Sequence, residues 1–268
     1  MRSVSVRRIV VAAFWLVGSL RGGSGASPSP GKQVPPKLML WSWYAKDDFR
    51  PLADPGVGVA YLALSLRFEG QSEVTPDPRR IPMRIAPDTY QMAVVRFNYL
   101  SEAAHRPAFS QQQRRLAARM VAEMATFARP QAVQIDFDAP RSAWPFYRQL
   151  LADIRDRLGP DMFLSITALV SWCDTAQCWL AGLPVDEIVP MAFFMGQATA
   201  ATVTMLERGG QFAFPGCRAS IGIALGDEYG RPSARPRNDQ RAYVFPLFPG
   251  PMPWSPETVK AARKAILP

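Results

Sequence analysis

The sequence contains few residues that bind soft metal ions. Its 268 residues include one histidine, His105, and three cysteines, and no two cysteines stand in a Cys-x-x-Cys pair. A structural zinc site takes four cysteine or histidine ligands, so the chain is too poor in both for such a site. A cysteine nucleophile needs a base such as histidine beside it, and His105 falls in a predicted loop. We therefore expect no metal ion and no cofactor.

The N-terminal apolar run is too short to cross a membrane. It covers residues 9–20, whereas a membrane-spanning helix needs roughly twenty residues. Arg7 and Arg8 precede the run and the small residues 22–26 follow it, which is the order of a secretory signal peptide. We predict a signal peptide over residues 1–26, a flexible tether over residues 27–37, and a periplasmic or secreted protein with no stable membrane span after cleavage. A retained N-terminal membrane anchor is the alternative.

The positive charge is spread along the chain rather than concentrated in one stretch. The net charge is +9, and no basic run interleaved with aromatic residues occurs. Nucleic-acid binding is therefore not expected. A net positive charge favours an acidic polymer, so an anionic polysaccharide is the first expected ligand. Nothing in the sequence fixes the oligomeric state.

Eight short, β-rich apolar runs alternate with helical patterns after the tether. This alternation is typical of βαβ units and a parallel sheet, and eight strands predict a closed barrel. We predict one α/β domain over residues 38–268, a (β/α)8 TIM-type barrel that is irregular around the second helix. Prolines and Gly70 leave no room for that helix between residues 67 and 92, where residues 80–85 are expected to form an irregular strand. The eight predicted barrel strands are residues 38–43, 58–66, 92–97, 132–137, 163–170, 188–193, 219–225 and 242–247.

Three helices carry clear start signals in the sequence. Ser110, Ser142 and Ser255 each stand where a side chain can cap a helix N-terminus. The first two helices have an apolar stripe at helical spacing, which predicts the face that packs on the sheet. These stripes are Leu116, Met120, Met124 and Phe127 in the first helix, and Phe146, Leu150, Ile154 and Leu158 in the second.

Asp136 and Asp138 form the most distinctive motif. They end the fourth predicted strand, and the working residues of such barrels stand at the carboxyl ends of the strands. Residues two apart on a strand point to the same face, roughly 6 to 7 Å apart. Two such carboxylates push their pKa values apart, so one can stay protonated and act as an acid. The alternative is that the pair binds backbone groups and arginines near the mouth.

Further candidates follow from the same rule. Glu228, after the seventh predicted strand, is the candidate second carboxylate. The apolar run at residues 191–195 is expected to belong to the core. For Trp172, a stacking platform and ordinary packing remain equally open. The candidate substrate-binding residues are Trp41, Trp43, Arg67, Arg96, Asn98 and Trp172.

The expected strand positions also predict a disulfide. Cys173 lies past the carboxyl end of the fifth predicted strand, whereas Cys217 lies just before the amino end of the seventh. These two cysteines are expected at opposite ends of the barrel, too far apart for a bond that needs Cα atoms within about 7 Å. We therefore predict a disulfide between Cys173 and Cys178.

Five ordered segments carry a resemblance to a known family. They are residues 40–44 (LWSWY), 134–140 (QIDFDAP), 164–169 (LSITAL), 184–187 (PVDE) and 189–191 (VPM). The chain resembles an uncharacterised bacterial family, domain of unknown function 3142, over most of residues 38–228. That family has no known activity, so the resemblance implies only a glycosidase-like barrel in an exported protein.

A more distant resemblance is to the chitinase-type glycosidases. In those enzymes, spaced aspartates on the fourth strand are followed by a catalytic glutamate. Here Asp136 and Asp138 match the aspartates, but Pro140 stands in the place of the glutamate and cannot donate a proton. A register shifted by two residues gives Asp138 the catalytic position, with Asp136 behind it.

The sequence thus predicts an exported, glycoside-hydrolase-like protein that acts on an envelope or extracellular polysaccharide. Asp138 is the expected general acid, Asp136 tunes or positions it, and Glu228 is the expected nucleophile or water-activating base. The alternative is a non-catalytic barrel of the bacterial envelope that binds a glycan or a protein.

Overall fold

Eight parallel strands pair side by side and close into a barrel, which confirms the predicted fold. The ring closes because β1 pairs with both β2 and β9. A ninth strand, β3, pairs antiparallel with the end of β2 outside the ring. The strands are β1 (Leu38–Ser42), β2 (Val57–Glu69), β3 (Glu73–Pro78), β4 (Tyr90–Tyr99), β5 (Ala132–Asp136), β6 (Phe163–Leu169), β7 (Glu187–Met191), β8 (Ser220–Ala224) and β9 (Arg241–Phe245).

The computed structural model describes residues 31–43, 45–52, 54–102, 105–193, 195, 199–225, 234–246 and 254–266. The predicted signal peptide, the first part of the predicted tether and Glu228 lie outside these residues. Within the described parts of the chain, no helix has both the length and the apolar character needed to cross a bilayer.

The described residues include four α-helices: α1 (Gln111–Ala128), α2 (Trp144–Leu158), α3 (Thr199–Glu207) and α4 (Pro256–Ile266). Ser110 caps α1 as predicted: its Oγ accepts from the Gln113 backbone N–H at 3.2 Å, and Gln113 Oε1 accepts from the Ser110 N–H at 3.0 Å. Ser255 caps α4 in a similar way, because its Oγ accepts from the backbone N–H of Thr258 at 3.2 Å. The predicted cap at Ser142 is wrong. A short 3-10 helix, Arg141–Ala143, precedes α2 there, and no side chain caps the α2 N-terminus.

The predicted apolar stripe of α1 is correct except for Phe127, because Leu116, Met120 and Met124 pack, partly buried, against the core. Ala117, Val121 and Ala125 are buried, whereas Phe127 is 92% exposed. Small side chains let the helix backbone approach the sheet closely, so the larger apolar residues lie at the sides of the contact. Phe127 lies in the last turn of α1 on the face directed away from the sheet, so it does not belong to the core.

The region between β2 and β4 is irregular and contains no helix, as predicted. The extra strand, however, is β3 (Glu73–Pro78) and not residues 80–85, where the structure has only an isolated bridge between Asp48 and Arg84. Pro76 and Pro78 lack an N–H to donate, and an edge strand tolerates this loss. The chain therefore extends the end of β2 as a hairpin beyond the barrel.

Two apolar layers hold the barrel together. One lies between the sheet and the helices, and the other fills the barrel interior with side chains such as Met92 and Tyr243. Glu187, at the amino end of β7, is buried in this interior. Its carboxylate accepts from Ser165 Oγ at 3.0 Å and from Tyr243 Oη at 2.5 Å, and it pairs with Arg241. Glu187 thus belongs to the structural end of the barrel, as the sequence rule predicts.

The disulfide joins Cys173 to Cys217, with Cα atoms 6.1 Å apart, and Cys178 is free. The predicted Cys173–Cys178 pair is therefore wrong. β8 is staggered relative to β7, because its third residue, Gly222, pairs with the last residue of β7, Met191. The start of β8 is shifted toward the carboxyl end, and the segment before it packs beside the turn that follows β6. There the backbone N–H of Phe214 donates to the Cys173 carbonyl at 3.0 Å.

Candidate active site at the barrel mouth

Asp136 lies at the carboxyl end of β5, with its side chain in the barrel interior between two neighbouring strands. The sheet register places it beside Arg96 of β4 and next to Thr167 of β6. Thr167 Oγ1 donates to Asp136 Oδ1 at 2.8 Å, and Arg96 Nη1 lies 3.7 Å from Oδ2. The Asp136 side chain is 7% exposed. It is therefore a buried carboxyl group that is held from both sides.

Burial controls the protonation of Asp136. Loss of hydration raises the pKa of this carboxyl to about 6, and the charge of Asp138 adds to the rise. Arg96 and the hydrogen bond from Thr167 act in the opposite direction, because both favour the ionised form. Asp136 is therefore a weaker acid than a carboxyl group in water.

Asp138 occupies a different environment two residues further along. Its side chain is exposed and makes no hydrogen bond or ion pair with the residues that the structure describes, while the intervening Phe137 points into the core outside the barrel. The barrel rim still removes part of the hydration of Asp138 and raises its pKa, against the opposing charge of Arg96. Asp138 is thus an accessible carboxyl group with an increased tendency to keep its proton.

The two aspartates share one small pocket of about 200 Å³, which Arg96, Phe97, Asn98 and Tyr99 also line. Arg96 contacts both Asn98 in the pocket and Trp43 at the mouth. Its Nε donates to Asn98 Oδ1 at 3.1 Å, and its guanidinium lies 4.8 Å from the ring centroid of Trp43 at the mouth. The structure therefore brings together five of the predicted site residues: Trp43, Arg96, Asn98, Asp136 and Asp138.

An aromatic wall lies beside Arg96 at the mouth. The rings of Trp43, Phe193 and Phe245 come from the ends of β1, β7 and β9, and Phe245 lies 4.6 Å from Phe193 and 6.4 Å from Trp43 between ring centroids. Gly222 makes room for this wall, because a Cβ there would lie 3.2 Å from the Phe245 ring. The sequence predicts residues 191–195 in the core, and Phe193 does pack, partly buried, against the interior cluster that contains Phe245, a residue for which no role is predicted. The signal for both was their position at the carboxyl end of a strand.

Three predicted substrate-binding residues lie elsewhere. Trp41 is completely buried in the barrel interior, where its Nε1 donates to Gln134 Oε1 at 2.9 Å. Trp172 is also buried and packs against Trp179, 4.9 Å away between ring centroids, which favours packing over a stacking platform, the two alternatives that the sequence left open. Arg67 lies on the extended end of β2, where it pairs with Glu69 outside the pocket. Trp41 is buried because its side chain points into the barrel from β1. Trp172 is buried because it lies in the turn that follows β6.

Within the described parts of the chain, no group of three or more His, Cys, Asp or Glu residues is placed to hold a metal ion. The described polar and aromatic groups at the mouth are the two carboxyl groups, Arg96, Asn98 and the aromatic wall.

Comparisons with known proteins agree with the geometry. Residues 89–189 match the model of a family described as domain of unknown function (DUF3142). The match confirms the resemblance found in the sequence, and it contains Arg96, Asn98, Asp136, Asp138 and Thr167. No curated protein sequence matches the chain significantly.

Solved structures with a similar fold include chitinases. A protein assigned as chitinase A from Streptomyces coelicolor superposes with a TM-score of 0.51 at 11% identity, over 85% of this chain and 95% of that one. A family GH18 chitinase from Chromobacterium violaceum gives a TM-score of 0.49 at 10% identity, over 82% and 81% of the two chains. The chitinase domain of the spore coat protein CotE from Clostridium difficile gives a TM-score of 0.38 at 14% identity, and the match spans 59% of this chain and about half (50%) of that one. At these identities the comparison shows the chitinase-type barrel fold alone.

Proposed function

We propose that this protein is an exported glycoside hydrolase that cleaves a polysaccharide at the barrel mouth, with Asp138 as the general acid. The observation that carries the proposal is an exposed carboxyl group with a raised pKa beside a second, buried carboxyl group in one open pocket. Environments that separate two carboxyl groups in this way are typical of acid and base assignments in glycosidases.

Each group has one part in the proposed reaction. Asp138 gives its proton to the glycosidic oxygen while the bond from that oxygen to the anomeric carbon breaks. Asp136 stays fixed behind it and tunes its protonation. Glu228, outside the described residues, is our candidate for the base that takes a proton from the attacking water, whose oxygen then forms the new bond to the anomeric carbon.

The aromatic wall supports a sugar ligand. Trp43 and Phe193 are only partly buried and offer apolar ring surface near the polar groups, while both pack against the buried Phe245. Ligand pockets commonly combine apolar walls with a few placed polar groups. Because similar folds occur in chitinases, polymers of N-acetylglucosamine are the first substrates to test. The net charge of +9 makes acidic envelope polysaccharides the second.

Export is part of the proposal. The disulfide between Cys173 and Cys217 is typical of proteins that fold in an oxidising compartment. The N-terminal sequence order of basic, apolar and small residues points to the same compartment. Detection of the mature protein, lacking residues 1–26, in the periplasm or the medium would test it.

The decisive experiment compares the Asp138→Asn variant with a matched control, Asp156→Asn. Purified protein is incubated with chitin oligosaccharides and with acidic and acetylated polysaccharides, and new reducing ends are measured. Asp138→Asn should lose activity by about 10²- to 10⁴-fold, the usual contribution of general acid catalysis. Asp156→Asn, at an exposed position on α2, should retain full activity. Unchanged hydrolysis by Asp138→Asn on every accepted substrate would refute the proposal.

A non-catalytic, glycan-binding barrel is the second candidate. Pro140 favours it, because this residue stands where related enzymes have a catalytic glutamate and it has no acidic group. In that case the doubly substituted protein, with Asp136→Asn and Asp138→Asn, would bind the same glycans as the unmodified protein. Neither protein would release reducing ends.

A further inference from the structure

Asp136 has two polar neighbours, Thr167 and Arg96, which interact with it in different ways. Thr167 Oγ1 donates to Oδ1 at 2.8 Å, within the usual range for a hydroxyl donor. Arg96 Nη1, at 3.7 Å from Oδ2, is too distant for a hydrogen bond and acts on Asp136 through its charge. In the part of the chain that the structure describes, Thr167 is thus the side chain that makes a direct hydrogen bond to Asp136.

Thr167 itself is almost completely buried, with 1% of its surface exposed. A hydroxyl group in a barrel interior is costly unless it forms a hydrogen bond, and this hydroxyl donates to Asp136. Valine has nearly the same shape without the hydroxyl and would fill this position in an ordinary barrel core. The hydroxyl therefore calls for a reason beyond packing.

We propose that Thr167 is a positioning residue, whose hydroxyl keeps Asp136 in place as an ionised acceptor while the exposed Asp138 carries the proton that is transferred. The proton transfer from Asp138 rests on the proposed function, whereas the effect of Thr167 on the ionisation of Asp136 does not. A hydrogen bond donated to a carboxylate is strengthened by the charge of the acceptor. The hydroxyl therefore favours the ionised form of Asp136 and also fixes the direction of its carboxylate plane.

The other charged or titratable groups around Asp136 are few in the described structure. Arg96 faces it from β4, Asp138 follows it on its own segment, and Tyr147 approaches from α2. Burial and the two aspartates raise the pKa of Tyr147 well above its ordinary value, so this residue stays neutral near pH 6. From β6, the group that acts on the pKa of Asp136 is the Thr167 hydroxyl, through its hydrogen bond.

The test uses Thr167→Val and Thr167→Ser as a matched pair. Valine removes the hydroxyl and keeps the branched shape, whereas serine keeps the hydroxyl and loses a methyl group. The pKa of Asp136 is followed by the carboxyl carbon signal in NMR titrations, which Asp136→Asn assigns. We expect Thr167→Val to raise this pKa from about 6 by about one unit, a tenfold change in the protonation equilibrium. Thr167→Ser should leave it within about 0.3 unit.

Activity gives a second, independent readout. If hydrolysis is observed, the acid limb of the pH profile should move upward with Thr167→Val by the same amount as the Asp136 pKa, and serine should restore it. An Asp136 pKa that is the same in all three proteins would overturn the inference even if the protein is an active hydrolase. If no glycan is hydrolysed, the proposed function fails, and the titration still decides the role of Thr167. Thr167→Ala provides the same comparison should the valine variant not fold.

Discussion

Replacement of Asp136 by Asn should make the protein more stable, and the gain should grow with pH. The folded structure raises the pKa of Asp136 from 3.8 to about 6, so the folded state holds this proton more tightly than the unfolded chain. Below pH 3.8 the carboxyl group is neutral in both states and its ionisation costs nothing. As the pH rises through 6 the folded protein must ionise a buried group, and stability is lost. The full loss corresponds to about 3 kcal/mol of unfolding free energy for a shift of about two units.

The pH-dependent stability cost of ionising Asp136 can be measured by urea unfolding at two pH values. Between pH 4.5 and pH 7.5 the stability of the unmodified protein relative to Asp136→Asn should fall by about 2 kcal/mol, most of the full linkage effect. Fixed costs of the substitution, such as an amide facing Arg96, contribute equally at both pH values and cancel in this comparison. Asp156→Asn should show no such dependence, because Asp156 is exposed. If the stability difference between the unmodified protein and Asp136→Asn stayed constant with pH, the assignment of a buried carboxyl group with a raised pKa at this position would be refuted.

Two further predictions concern stability away from the mouth. Cys173→Ser should cost about 4 kcal/mol by the chain-entropy relation for a bond across a sequence separation of 44, whereas Cys178→Ser should cost little, and thiol titration of the unfolded protein should find one free thiol. Phe127→Ser should change the unfolding free energy by less than about 0.5 kcal/mol, because the side chain is exposed. Val121→Ala should cost about 1 to 3 kcal/mol in the same urea titration, because Val121 is buried against the sheet. Equal effects of the two cysteine substitutions would contradict the disulfide assignment, and a large effect of Phe127→Ser would contradict the buried face of α1.

The fold was largely predictable because its signals are local. Each barrel strand is a short apolar run, and Ser110 marks the start of α1 through groups three residues apart. Asp136 and Asp138 end a predicted strand, and parallel strands present their carboxyl ends at one edge, so both residues could be predicted at the barrel mouth. These inferences need only the order of residues along the chain.

The incorrect predictions depend on distances between segments that are far apart in sequence. The Cys173–Cys217 bond forms because β8 is staggered against β7, and stagger is a property of strand pairing that no local pattern encodes. The inclusion of Phe127 in the apolar stripe of α1 was wrong for a related reason. Its contact face is set by how closely the helix can approach the sheet, so alanines rather than Phe127 form the contact.

The strongest result for the proposed function is that two carboxyl groups, two residues apart at the end of β5, have different environments. Alternation places both toward the barrel axis, yet Asp136 is the last residue of β5 and lies within the interior, whereas Asp138 lies past the strand end and is exposed. Their environments then separate them, because Asp136 has Thr167 and Arg96 as fixed partners and Asp138 has a free carboxyl group at the pocket. A catalytic pair needs this asymmetry, with one group held and one group available. The barrel therefore presents one held and one accessible carboxyl group at its mouth, and the proposed role of Asp138 as general acid rests on this difference.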